Sequence, residues 1–178
     1  MGENPTMNTD PDEFREVSLA DAMTALGHQT ADALQRSMIH EGGAGMPRET
    51  MAALASEMAV VVRANDLPMR PTEVQHLFAD HQYARMYPMP AGQLAVTKTH
   101  KKRHFIAVVG DCTIWTEDTQ KRLVGVHFFI THPGTKRVIV AHADTMFVTF
   151  HALSFDPAGL EDVPRIEAEL IEPEEDPS

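Results

Sequence analysis

The sequence predicts a mainly β fold, an antiparallel barrel or jelly roll preceded by a helical extension. Three observations lead there. From Leu67 onward, β-branched and aromatic residues gather in short segments that Pro, Gly and acidic turn residues separate. No helical periodicity interrupts those segments, which points to antiparallel strands rather than to alternating strands and helices. Upstream, by contrast, apolar residues recur at helical spacing. The chain of 178 residues divides accordingly into a helical extension (1–66), a barrel (67–172) and an acidic tail (173–178).

The first thirteen residues are polar and carry Pro5 and Pro11, the composition of a loose arm. Ser18 offers an N-cap, and Leu19, Met23, Leu26, Leu34 and Met38 recur with helical spacing, so a helix is expected from Ser18 to His40. Glu41-Gly42-Gly43-Ala44-Gly45 ends it, because glycine loses most backbone entropy in a helix. Pro47 suits the first turn of a second helix reaching Asn65, with Met51, Leu54, Met58 and Val61 on one face. A Met-rich face of this kind is ordinary core or a docking surface for another subunit.

Seven strands are expected after that: Gln82–Pro88, Gln93–Thr99, His104–Val109, Cys112–Thr116, Arg122–Ile130, Lys136–His142 and Thr145–His151. Gly110-Asp111, Glu117 to Gln120, and Pro133-Gly134 supply turns between them. The tail carries Glu174, Glu175 and Asp176, with Glu172 just before it, and reads as a solvated segment.

Charge and composition exclude several partners. A net charge of −11 argues against nucleic acid and against an anionic membrane, since both need a basic field. Lys98 to Arg103 form the one basic cluster, too short to reverse that sign. Cys112 is the single cysteine, so no intrachain disulfide forms and a reducing compartment is expected. No apolar run approaches the roughly 20 residues that span a bilayer, and a soluble, intracellular protein is expected. Nucleophile-elbow, P-loop, paired-cysteine and dinucleotide motifs do not occur.

The succession FADHQYAR (Phe78–Arg85), PAG (Pro90–Gly92), His100 and His104, WTED (Trp115–Asp118), PGTKR (Pro133–Arg137), AHADT (Ala141–Thr145) and Phe150-His151 resembles small cupin proteins of tailed bacteriophages and prophage regions. Leu160–Ile171 resembles the short helix that ends those proteins. The resemblance spans about Leu77 to Ile171. It implies a cupin-like double-stranded β-helix, a jelly-roll barrel with a short C-terminal helix, working as a homo-oligomer beside other phage structural proteins, in the host cytoplasm or the virion. It implies no set activity, because cupins include dioxygenases, isomerases, storage proteins and sensors.

The general cupin metal motif has two closely spaced histidines and a glutamate, then a distal histidine after a Pro-x-Gly turn. Against that pattern, His100 and His104 fall near the second histidine and the glutamate, and Lys98 takes the first histidine's place. Arg137 stands near the distal histidine's position. His142 and His151 from the last strands complete a candidate set with His100 and His104, for a divalent transition metal such as Fe, Mn, Zn or Ni. Strand parity puts His104 with Ile106 and Val108, and His142 with Val138 and Val140. Glu117, Asp118 and Asp144 are turn acids first and catalytic candidates second, and Cys112 is a buried hydrophobe before it is a reactive thiol. Two readings stay open: a structural or interaction protein with a histidine-lined pocket, and a metal-dependent enzyme of oxygenase or isomerase type.

Overall fold

The computed structural model describes residues 15–18, 45–64 and 74–173. The expected first helix, apart from Ser18, and the acidic tail beyond residue 173 lie outside the described residues. In chain order the elements are β1 (Arg15–Ser18), α1 (Arg48–Ala64), β2 (Gln75–Ala79), β3 (Gln82–Met89), β4 (Gln93–Val96), β5 (His104–Trp115), β6 (Gln120–Thr131), β7 (Val138–Ala141), β8 (Thr145–Ala152) and α2 (Val163–Leu170). A single 3₁₀ turn, Leu160–Asp162, leads into α2.

All strand pairs are antiparallel, and β5 organises them. Along one edge it pairs with β6 over its full length. Along the other, residues 105–109 pair with β8 and residues 112–115 with β7. One half-sheet therefore runs β5-β8-β3-β2 and the other β5-β7-β4-β1. The halves curl to face each other, since Tyr87 and Phe147 from one share a core with Ala95 and Ile139 from the other. This is the mainly β, curled antiparallel barrel that the sequence predicts.

The bend that allows it sits at Gly110, expected as a turn but placed in mid-strand. Its φ of 144° lies where L side chains rarely go, and a Cβ there would come within 2.7 Å of the Asp144 carbonyl oxygen. The chain bends here instead of reversing, so two expected strands are one. Two further strands were not expected. Gln75–Ala79 joins β3 through a tight turn at Asp80-His81, where His81 has a φ of 55°. Arg15–Ser18 pairs with β4, and Ser18 ends that strand opposite Gln93.

The second expected helix is present as α1. Ala, Met and Glu favour helix, and Glu49 in the first turn complements its dipole. Met51, Leu54 and Met58, one turn apart, are buried in a core with Leu94, Trp115, Val138 and Val140 on the outer face of the β4-β7 half. Full burial of such a side chain stabilises by about 1.5–3 kcal/mol. α2 buries Val163, Ile166 and Leu170 at helical spacing, the last two beside Tyr83 and Leu153 at one end of the barrel. Among the described residues no helix is long and apolar enough to cross a membrane.

Candidate metal centre

Three histidines meet inside the barrel at the end that α2 covers. His104 opens β5 on the parity of Ile106 and Val108, and that face points inward. His151 lies near the end of β8, whose Phe150 and Thr149 pair with Phe105 and Ile106 of β5. Adjacent antiparallel strands with inward parity thus bring two imidazoles together, with ring centroids 4.4 Å apart. His100 comes from the connection after β4. Its ring centroid is 4.4 Å from His104 and 5.2 Å from His151. One ligand nitrogen from each of the three lies within 4.8 Å of the others.

The connection carrying His100 is clamped from both sides. His100 forms an isolated bridge with Ile171, the Lys101 amide donates to Leu170, and the Glu172 amide donates to Thr99. The Gly134 amide donates to the His100 carbonyl at 2.9 Å. Lys102 pairs with Glu169 of α2, whose carboxylate also accepts from the Ser154 hydroxyl and amide. Residues 169–172 are therefore part of the site's scaffold.

Protonation follows from burial. Loss of solvation lowers the His100 pKa to about 3, with further repulsion from His104, Arg137, Arg85 and Lys98. Burial likewise takes His151 down to about 2, with His104, His100, Arg85 and Lys102 adding to the effect. Burial also lowers His104, against an opposing hydrogen bond to the Lys102 carbonyl. At neutral pH all three rings are neutral and each keeps one lone pair. A carbonyl can only accept, so His104 Nδ1–H donates to Lys102 at 3.1 Å and its lone pair sits on Nε2. That Nε2 is buried without a partner, as is His151 Nδ1.

These residues fit a divalent transition metal. Orphaned buried nitrogens are costly, and coordination satisfies them. Three neutral imidazoles match the donor set of open zinc or iron sites, and the His104–Lys102 bond is the outer contact that fixes a ligand's tautomer.

His142 is not in this group. Val138 and Val140 face α1, whereas Ile139 and Ala141 face the barrel interior. His142 therefore follows the outward phase; it is exposed, and its Nε2 shares a 2.8 Å hydrogen bond with Thr113 Oγ1. The other acids and the thiol stand elsewhere. Asp144 accepts from the Ala91 amide at 2.9 Å, Glu117 pairs with Arg48 of α1 at 3.1 Å, and Cys112 is buried with its thiol pushed up to about 12, chiefly by desolvation.

A cavity opens onto the three histidines. Its walls are mainly apolar, from Ile106, Phe129, Ile139 and Phe147, with α2 at the rim. Tyr83, Arg85 and Tyr87 line it from alternate positions of β3, and Arg137 lines it from the segment before β7. Sequence reading set Arg137 near the distal ligand position and gave Tyr83 and Arg85 no role; the alternation Tyr83-x-Arg85-x-Tyr87 was the signal for those two.

No protein-family model matches this chain, and no curated protein matches it by sequence. Solved structures similar to it include cupin-family proteins. A cupin-2 domain protein of Shewanella frigidimarina is 8% identical over 44% of this chain and 79% of its own, with a TM-score of 0.36. A cupin superfamily protein of Desulfitobacterium hafniense is 11% identical over 51% of this chain and 87% of its own, with a TM-score of 0.39. Salicylate 1,2-dioxygenase of Pseudoaminobacter salicylatoxidans is 11% identical over 65% of this chain and 33% of its own, with a TM-score of 0.42. Likenesses at this level say nothing of what this chain binds; the barrel is established by its own strand pairing.

Proposed function

We propose that His100, His104 and His151 hold a divalent transition metal (Fe, Mn, Zn or Ni) and that the chain is a metal-dependent enzyme working on a small molecule in the adjoining cavity. One observation carries this reading. Three neutral imidazoles converge in the barrel, and buried nitrogens of two of them have no partner. A bound metal would supply Lewis acidity toward an oxygen-bearing ligand, the chemistry an oxygenase or isomerase of this type needs. The chain's own residues do the rest. The Lys102 carbonyl holds His104 in one tautomer, the Ile171 bridge holds His100 in place, and the apolar walls keep water from the bound molecule. Adding Zn²⁺, Mn²⁺ or Ni²⁺ to chelator-treated protein should raise its melting temperature, and His104→Ala should remove the effect. Equal stabilisation of wild type and variant would contradict the reading.

A second reading, a structural or interaction role, is supported by a different surface. Leu77, Phe105, Ile130 and Phe150 form an exposed row across β2, β8, β5 and β6, and Val124, Val126 and Phe128 continue it along β6. Their exposed area is on the order of 800 Å², which is the size of one side of a standard interface and more than monomers usually show. A second copy of this chain is the fitting occupant: laid face to face in a self-complementary contact, the two rows bury each other. A phage assembly is the setting the sequence resemblance supplies for such an oligomer. Phe128→Asp should convert a dimer to a monomer in light scattering; a wild-type monomer at micromolar concentration would count against it.

A further inference from the structure

We propose that the cavity takes a small organic carboxylate, its two oxygens held by the Arg137 guanidinium and its apolar remainder by Ile106, Phe129, Ile139 and Phe147. This deepens the reading of the cavity as the working site and rests on it. Arg137 is a buried cation, 7% exposed. Among the described residues no Asp or Glu pairs with it. Its side chain donates from Nη2 to Thr131 Oγ1 at 2.9 Å and lies 5.7 Å from the Phe129 ring centroid. A guanidinium has five N–H donors, so most of its fork remains available.

The surroundings leave its charge in excess. Arg85 and Glu167 line the same cavity, one cation and one anion, and offset each other in the local sum. The three imidazoles are neutral and contribute nothing negative. Burial brings Arg137 down to about 10, so it stays cationic at neutral pH. A buried charge without a counter-charge is costly, and a ligand carboxylate is the group that removes that cost, with bidentate geometry a guanidinium matches and an ammonium does not. A neutral or cationic ligand would leave it uncompensated.

The closing experiment is calorimetric titration of the full chain with benzoate and butyrate, each against its primary amide, with metal content measured on the same samples. Each carboxylate should bind ~10-fold or more tightly than its amide, and Arg137→Gln should remove that preference, because the charge-assisted pair is gone. Arg137→Lys, which keeps the charge but loses the fork, should fall between the two and serves where Arg137→Gln does not fold. Carboxylates and amides binding alike, or a carboxylate preference that survives in both variants, would overturn the inference. Stoichiometric metal without a carboxylate preference would leave the metal reading standing and this one refuted. A preference that depends on Arg137 in a protein that takes up no metal would do the reverse.

Discussion

Gly110 and Gly125 face each other across the β5-β6 pair, and substituting each by alanine separates two costs that usually come together. Both have positive φ, 144° and 90°, so Ala at either is strained, by about 1–3 kcal/mol. A Cβ at Gly125 meets nothing within 4 Å. At Gly110 it meets Thr145 Oγ1 at 2.5 Å and Asp144 O and Thr145 Cα at 2.7 Å, backbone atoms that cannot rotate away. Overpacking of that kind adds about 1–3 kcal/mol. Gly125→Ala should therefore lose about 1–3 kcal/mol of stability and Gly110→Ala about 2–6 kcal/mol. Urea unfolding measures both, provided the slope of free energy against denaturant is unchanged. Equal losses at the two positions would refute the claim that β5 bends at Gly110 against the β7-β8 connection. The site depends on that bend, which lets one half of β5 carry His104 beside His151 while the other half joins β7.

Other outcomes follow from burial. Leu54 is 1% exposed between α1 and the sheet, and Leu54→Ala should cost about 2–5 kcal/mol in the same assay; a loss under about 0.5 kcal/mol would mean that α1 does not pack on the barrel. The buried Cys112 thiol, raised to about 12, should react with a disulfide reagent at neutral pH only after denaturant is added. The metal-free protein should lose stability in acid. Above about pH 6.5 the histidines are neutral in both folded and unfolded chains and contribute no slope. As pH falls from there toward about 3, the unfolded chain takes up protons that His100 and His151 refuse, so stability drops through that window. Double substitution of these two residues by Gln should flatten the slope there.

Much of this was legible in the sequence, for reasons that particular residues show. His104, Ile106 and Val108 share one strand face and it is the inward one, but Phe105, Ala107 and Val109 are apolar as well, so parity grouped these residues and the family resemblance chose the side. Val138–Ala141 could not be read that way. All four residues are buried, alternate ones against α1 and against the barrel interior, and two apolar faces erase the alternation that assigns His142 a side. Gly110-Asp111 was read as a turn because a Gly-Asp pair suits both a reversal and a bend, and only the partner strands decide. The Met face of α1 announced a buried helix but not what covers it. That the residue just past α2, Ile171, clamps His100 was not visible, because a backbone bridge has no side-chain signature.

The central claim is that His100, His104 and His151 bind a metal together. Elemental analysis of the purified full chain, wild type beside His104→Ala and His142→Ala, tests it most directly. The expected result is about one Fe, Mn, Zn or Ni per chain in wild type and in His142→Ala, and none in His104→Ala. No metal in a wild-type protein incubated with all four, or metal equally retained in His104→Ala, would contradict it.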